Sequence, residues 1–244
     1  MKMLKSIFKI GLLSAIIFST SSCSSTRFVV PLDDRQQAIS GEFGGPLLNF
    51  AGTTIPTPLA SVTHAYGINK NLTVHNSIHL TSLAYGTFHL ESGLLRNLFY
   101  AEKPRIGFSY SPAVNLIVDR FEWNFKVYPQ LDMNLYWYMM GQGGRSCDCP
   151  GAKGRRPLIL YTGTSTWFEF AQVKAHGLDQ EKNVFINPQI GMMYMGKKLN
   201  YQLEAKWLYS SRRNDDLVPN YVGINNKGAV GVYFTVSKFL NHGV

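Results

Sequence analysis

The sequence predicts an all-β fold: a closed antiparallel up-and-down β-barrel of about eight to ten strands, with ten preferred. Apolar residues recur with a period of two in several segments, whereas no helical period of 3.6 persists after Ser25. Charged residues make up 16% of the 244 residues, against roughly 25% in an ordinary soluble domain. The 22 glycines and the 13% aromatic content favour strands and turns. This composition excludes a disordered chain and a coiled coil.

Residues 1–22 differ from the rest of the chain and are typical of a signal peptide. Lys2, Lys5 and Lys9 precede an apolar run over 10–18. That run is shorter than the roughly 20 residues with which a helix crosses a bilayer. Removal of these three lysines lowers the formal net charge from +9 to +6. Much of the basicity therefore belongs to targeting, and we expect no nucleic-acid partner.

The end of this segment resembles the lipobox of bacterial lipoproteins. The small residues of 19–22 lead to Cys23, with Thr20 at the position where this family usually has Leu. The resemblance implies that Cys23 is the acylated first residue of the mature protein. It would carry a diacylglycerol and an N-acyl chain, and we expect no other cofactor. Ser24 is not the Asp that marks inner-membrane retention in this family, so the resemblance implies delivery to the outer membrane. The alternative is an ordinary secretory signal with an incidental cysteine.

The barrel domain is predicted over 36–244, after a lipidated N-terminal tether at 23–35. Five segments alternate clearly between apolar and polar residues, and five others do so more weakly. The clear segments lie at 72–80, 106–118, 127–139, 201–209 and 230–236, and the weaker ones at 36–43, 58–67, 87–95, 158–169 and 184–195.

The connections between these strands differ in length at the two ends of the predicted barrel. If the first strand rises from the side that carries the lipid, longer loops at 44–57, 171–183 and 212–227 fall on the far side, and short turns such as 69–71 on the near side. Outer-membrane barrels show this asymmetry. The long segment at 141–156 is an exception, because it falls on the near side.

The polar face of each strand indicates whether the barrel stands in water or in lipid. That face carries mainly Gly, Ser, Thr, Asn, Gln, His and Tyr, with few of the charged residues that cover a solvated face. Small neutral polar groups suit the crowded interior of a narrow barrel. The apolar face carries aromatic residues near strand ends, where a membrane barrel has its girdle: Trp137, Tyr201, Trp207 and Tyr209. The predicted barrel is therefore transmembrane.

The last strand resembles the terminal strand of small β-barrel proteins in Gram-negative outer membranes. The segment 228–240 carries Gly231 and Tyr233 and ends near Phe239, with 240–244 following the aromatic residue. The resemblance implies recognition by the barrel-assembly machinery and a location in the outer membrane of a Gram-negative bacterium.

Ionisable residues on the polar faces are predicted to form a polar network in the lumen. Glu204 and Lys206 alternate with lipid-compatible residues, and their Cα atoms are about 7 Å apart along one strand. Asp132 and Glu91 are other possible partners for them. His75 and His79 share a face but lie about 13 Å apart along the strand, too far to share a metal ion. The predicted network comprises His75, His79, Asp132, Glu204 and Lys206, and no metal site is predicted.

No catalytic motif stands out, and the chain is predicted not to be an enzyme. The nucleophile-elbow pattern Gly-x-Ser-x-Gly does not occur. Two pairs have the residue types of a hydrolase site, namely Ser77 with His79 and His75 with Glu91. Both pairs point inward in the predicted register, away from a lipid substrate.

The loop near 145–156 carries two cysteines and several basic residues. Cys147 and Cys149 supply half a metal site at most. An intraloop disulfide or two exposed thiols are the other outcomes. The arginines of this loop either meet anionic lipid headgroups or are simply solvated: Arg145, Arg155 and Arg156.

These features predict a lipid-anchored outer-membrane β-barrel that serves as a non-enzymatic structural or accessory component of the cell envelope. Its expected partners are outer-membrane lipids and other envelope proteins. Two alternatives remain open: a lipid-anchored soluble lipocalin-like barrel that binds a small apolar ligand, and a lipid-modifying barrel enzyme.

Overall fold

The computed structural model describes residues 28–101, 105–121, 123–140, 157–170, 183–196, 198–214 and 220–240. In these ranges the chain forms eleven strands and one short helix, α1 (Leu80–Ala84). The strands are β1 (Gln37–Phe50), β2 (Thr53–Pro56), β3 (Leu59–Asn69), β4 (Leu72–His79), β5 (Thr87–Ala101), β6 (Ile106–Asp119), β7 (Phe125–Met140), β8 (Leu158–Phe168), β9 (Val184–Met195), β10 (Asn200–Arg213) and β11 (Lys227–Leu240). No helix in the described part of the chain is long and apolar enough to cross a membrane.

Ten of these strands form a closed ring. β1 pairs antiparallel with β3, and each later strand pairs antiparallel with the next one up to β11. β11 pairs back with β1 over ten residues, from Gln37↔Leu240 to Pro46↔Gly231. β2 pairs with the last four residues of β1 as a hairpin that extends beyond the ring. The prediction of a closed ten-stranded antiparallel barrel is confirmed.

Strands occupy all ten predicted positions, but some ends differ from the prediction. The segment 44–57, predicted as a loop, contains the second half of β1 and all of β2. Its glycines and proline indicate a break, yet β1 continues because β11 and then β2 pair with it. Similarly, Arg212 and Arg213 complete β10, and Leu80 begins α1 rather than ending a strand.

The two ends of the barrel differ. The near end is where β1 begins and β11 ends, and the far end is where β1 turns into β2. The connections at 70–71 and 196–199 lie at the near end, whereas α1 lies at the far end. Residues 1–23 and the cysteines at 147 and 149 lie outside the described residues, so the structure does not address the signal peptide, the acylation site or the cysteine pair.

The two faces of the strands have opposite character. Inward side chains in the middle of the barrel are mainly polar and buried, and outward side chains are mainly apolar and exposed. Outward apolar residues occur around the ring, among them Ile39, Val62, Ile78, Leu94, Val114, Met133, Ile186, Ile190, Leu203 and Phe234. A soluble barrel would have the reverse arrangement.

Tyr209 departs from its predicted place in the outer aromatic girdle. The pairing of β10 with β11 is irregular after Leu208, and Tyr209 has a φ of +51°. Its backbone N–H donates to Asn187 Oδ1 at 2.8 Å, and its ring meets Phe185 edge-on, with centroids 5.5 Å apart. A local bulge of this kind re-aims a side chain, so Tyr209 packs near the far end of the lumen instead. Trp137 and Trp207 are half-buried, and Tyr201 is exposed.

Candidate functional site

The lumen is the candidate functional site, because the buried ionisable residues of the described strands converge there. One cluster is centred on Glu204. Lys206 Nζ lies 3.4 Å from Glu204 Oε1. Tyr161 donates its hydroxyl to Glu204 Oε2 at 2.8 Å, and Gln202 Nε2 donates to the Tyr161 oxygen at 2.7 Å. The ammonium of Lys206 also lies 5.8 Å from the centroid of the Tyr233 ring.

Tyr161 reaches this cluster because a glycine faces it on the next strand. Gly191 of β9 is the cross-strand partner of Tyr161. A Cβ at Gly191 would overlap the Tyr161 phenol group. The absence of a side chain at this position therefore lets the tyrosine lie across β9 toward β10, where Glu204 is located.

A second cluster surrounds Glu42 on β1. Glu42 Oε1 accepts a hydrogen bond from Ser40 Oγ at 3.2 Å and another from Thr63 Oγ1 at 2.9 Å. Glu42 Oε2 accepts a hydrogen bond from the Ser61 hydroxyl. A hydrogen bond of 2.8 Å then links Thr63 to Ser77 of β4. The carboxylate thus joins β1 and β3 inside the barrel.

A third cluster contains three histidines and Glu91. His75 Nε2 lies 3.4 Å from Glu91 Oε1, and His79 Nε2 lies 3.9 Å from Oε2. The rings of His79 and His89 stack with centroids 3.7 Å apart and planes at 8°. His89 Nε2 forms a 2.9 Å hydrogen bond with Asn115 Oδ1. No group of three or more His, Cys, Asp or Glu residues in the described chain is placed to hold a metal ion.

Glu91 reaches both histidines because of the strand register. It lies on β5 opposite Ser77, which is midway between His75 and His79 on β4. The spacing of the two histidines along β4 is therefore bridged by a carboxylate from the adjacent strand. Ser77, His79, His75 and Glu91 all face the lumen and lie away from the outer surface.

Asp132 belongs to a network that adjoins the histidine cluster through the neighbouring strands β6 and β5. Its two carboxylate oxygens accept hydrogen bonds from Gln130 Nε2 at 2.9 and 3.1 Å. Asn115 donates to Gln130 Oε1 at 3.0 Å, which connects this network to His89. The hydrogen-bonded chain from His89 to Asp132 links β5, β6 and β7.

The near end of the lumen is filled by the chain itself. Phe28, Val29 and Leu32 are buried, although they precede the first strand. Val29 is fully buried among side chains of β7, β8 and β9, including Tyr136 and Ile159. We call residues 28–33 the N-terminal plug; Phe28 and Leu32 pack against a second group of Ala38, Ala65, Leu95 and Phe239.

Polar contacts hold the plug in place. Ser109 Oγ donates to the Val29 carbonyl at 2.6 Å, and the Leu32 N–H donates to Thr73 Oγ1 at 2.8 Å. Gly67 makes a close backbone approach possible, because a Cβ there would overlap the carbonyl oxygen of Asp33. A backbone hydrogen bond from Gly67 N–H to Gln36 O, at 2.8 Å, fixes the chain between the plug and β1 against β3.

Apolar groups also occupy the far end. Leu208, Tyr221 and Ala229 form one buried cluster, with Leu48 and Leu59 packed against it. A second cluster consists of Tyr128, Trp167 and Phe185. The polar middle of the lumen thus lies between apolar groups at both ends.

Sequence reasoning did not identify several residues of this site. Glu42 lies between Gly41 and Phe43 in a predicted strand, so the period-two pattern already indicated its inward position. The N-terminal plug carried no such signal, because residues 28–33 have no strand period and their burial depends on the whole barrel.

The sequence matches no known family profile and no curated protein. Three solved structures show distant similarity to the chain. A bacterial polysaccharide outer membrane secretin has 9% identity and a TM-score of 0.36, over 86% of this chain and 99% of that chain. Ail, the attachment invasion locus protein of Yersinia pestis, solved with the heparin analogue sucrose octasulfate, has 8% identity and a TM-score of 0.26, over 84% and 98%. The translocator domain of the autotransporter NalP from Neisseria meningitidis has 11% identity and a TM-score of 0.30, over 96% and 95%. Similarity at this level carries no argument about activity or ligands.

Proposed function

We propose that the chain is a lipid-anchored β-barrel of a Gram-negative outer membrane, with a structural or accessory role in the envelope and no catalytic activity. The observation that carries this proposal is the apolar outer surface of the ring, combined with a polar interior. In lipid, a closed barrel satisfies the backbone hydrogen bonds of every strand and leaves no edge exposed.

The distribution of charge supports membrane residence. All acidic residues within the described strands are buried: Glu42, Glu91, Asp119, Asp132 and Glu204. Arg96 is exposed and lies five residues before the end of β5. Apart from Arg96 and the buried Lys206, the basic residues of these strands lie no more than two residues from a strand end: Lys126, Arg212, Arg213, Lys227 and Lys238. Basic side chains at these positions meet lipid headgroups, whereas at the midplane they would cost roughly 2–4 kcal/mol each.

The position of the N-terminal plug is compatible with a lipid anchor at Cys23. Four residues lie between Cys23 and Phe28, so five steps along the chain span at most about 18 Å. Because Phe28 lies at the near end, this span is long enough for an acylated Cys23 to reach the membrane surface beside the same end. Two or more acyl chains would then anchor the N-terminus stably.

The filled lumen favours a structural role over transport through the barrel or binding of a small ligand inside it. The middle of the lumen is lined by hydrogen-bonded polar residues, the opposite of the lining that an apolar ligand requires. This disfavours the lipocalin-like alternative. The lipid-modifying alternative needs a nucleophile and a base in contact at the outer surface. Ser77, His75 and His79 face inward. The outward His64 and Ser92 lie on β3 and β5, with β4 between them.

The test is expression of the wild-type chain and of Cys23→Ala, followed by membrane fractionation and carbonate extraction. We expect both proteins to resist extraction and to migrate faster on gels before heating than after. Release of Cys23→Ala as a soluble protein would contradict the transmembrane assignment and favour the soluble barrel. A change in lipid A mass on expression would contradict the non-enzymatic role.

A further inference from the structure

A row of polar side chains interrupts the apolar outer surface of the barrel. His64, Asn76 and Ser92 all face outward and are exposed. They are direct cross-strand neighbours, since His64 pairs with Asn76 and Asn76 with Ser92. A hydrogen bond of 3.2 Å joins His64 Nε2 to Gln37 Oε1 on β1. Gln37 is the first residue of β1 and lies toward the near end. We call His64, Asn76 and Ser92 the outer polar row.

The three residues of this row lie within their strands and not at the strand ends. His64 is the central residue of β3, and Asn76 lies in the middle of β4. Long basic side chains can extend to the interface, but Asn and Ser are too short to do so. No side-chain hydrogen bond involves Asn76 or Ser92 within the described residues. Polar groups that face hydrocarbon without a partner are unfavourable, and they mark functional contacts in membrane proteins.

We propose that the outer polar row is the interface through which two copies of this chain associate in the membrane. This inference rests on the proposed membrane location. The Asn76 amide and the Ser92 hydroxyl can each donate and accept hydrogen bonds, and a neutral imidazole has one donor nitrogen and one acceptor nitrogen. Asn76 lies at the centre of the row, so a two-fold axis beside it lets the two Asn76 amides form reciprocal hydrogen bonds.

A second copy is the partner that the geometry favours. Two copies inserted in the same direction bring the row to the same depth by symmetry, whereas an unrelated protein would need its own polar group at that depth. A glycine on β1 also reduces the side-chain bulk close to the row. Gly41, the cross-strand partner of Val62, has open space where a side chain would project. Small residues permit such approach between membrane segments.

The experiment measures self-association in phosphatidylcholine vesicles by energy transfer between labelled copies, as lipid is added. We expect Asn76→Val to require about tenfold more protein per lipid for half-association than the wild type. Thr162→Val is the matched control, because Thr162 faces outward on β8 and its hydroxyl already donates to Gln189 O at 3.0 Å. The control should associate like the wild type.

A cross-linking arm locates the interface independently. In a background that carries Cys147→Ser and Cys149→Ser, Asn76→Cys should form a disulfide-linked dimer, and Thr162→Cys should not. A wild-type chain that stays monomeric at every lipid ratio, or equal association of Asn76→Val and Thr162→Val, would overturn the interface. Binding of the row to a different envelope protein by a monomeric chain would also overturn it. Carbonate resistance and heat-dependent mobility of the same samples report insertion, so failure of the interface is distinguished from failure of the membrane assignment.

Discussion

Lys206 and Glu204 lie two residues apart on β10 and form an ion pair inside the barrel, with Nζ and Oε1 3.4 Å apart and both side chains 1% exposed. The strand period places both on the inward face. A buried charge of this kind is tolerated only when its partner and its hydrogen bonds are in place.

Replacement of Lys206 by Met is therefore expected to destabilise the barrel by roughly 3–5 kcal/mol, because Glu204 loses its counter-charge. The measurement is unfolding by denaturant in detergent micelles, followed by heat-dependent gel mobility. Lys238→Met is the matched control, since Lys238 is exposed on the outside of β11 near its end; its effect should stay within about 0.5 kcal/mol. Trp207→Leu, on the outer surface of β10, should also cost less than Lys206→Met. Equal effects of all three changes would mean that the lumen assignment is wrong.

The second prediction concerns Glu42, whose carboxylate accepts hydrogen bonds from hydroxyl groups of β1 and β3. Glu42→Ala leaves buried hydroxyl groups without their acceptor, at about 1–3 kcal/mol for each group that finds no other partner. Glu42→Gln keeps one acceptor oxygen and should cost less. Chemical denaturation of both variants gives the order; an equal or reversed order would contradict the role of the carboxylate as the acceptor that joins these strands.

Gly67→Ala is expected to displace the N-terminal plug while the strands stay paired. The added Cβ overlaps the carbonyl oxygen of Asp33 and lies 3.2 Å from Leu32 Cβ. Hydrogen exchange followed by mass spectrometry should show faster exchange in peptides covering 28–36. Gly41→Ala is the control, because its Cβ meets nothing within 4 Å. Unchanged exchange in the Gly67 variant would mean that the plug is not held against β3.

The wild-type barrel should not behave as a diffusion pore. Barrels of about ten strands have interiors largely filled by side chains, whereas open porins need about 16 strands. Here the plug and the far-end clusters fill the ends of that interior as well. Planar bilayer recordings should show no large stepwise conductance, with a known porin as the positive control. Porin-sized steps from purified protein would show that the lumen is open.

Cys23 should be the first residue of the mature protein and carry acyl chains. The lysine-rich segment, short apolar run and small residues before Cys23 motivate this prediction. Intact-mass and peptide mass spectrometry of purified protein checks it. An unmodified N-terminus at any other residue would contradict the lipobox assignment.

The ten strands of the ring and most of their faces were predictable from the sequence because the side-chain period of a strand is local, whereas β2 was predicted as part of a loop. Each residue two positions along returns to the same face, so alternation alone indicates which side chains share a surface. Glu204 and Lys206 illustrate this: two residues apart on one strand, they need no other strand to bring them together. The polar composition of one face then distinguishes the lumen from the outer surface.

Contacts between strands and from irregular segments were decided by the tertiary structure. The meeting of His75 and His79 at Glu91 requires the register of β4 against β5, which no single segment specifies. Tyr209 left its predicted face because a bulge after Leu208 altered the local backbone. The burial of Val29 depends on side chains of three distant strands that surround it only once the ring has closed. The sequence by itself determined the strands of the ring and most of their inward and outward faces, because these follow from neighbouring residues. Only the closed barrel decided which buried groups meet, because those contacts join residues far apart in the chain.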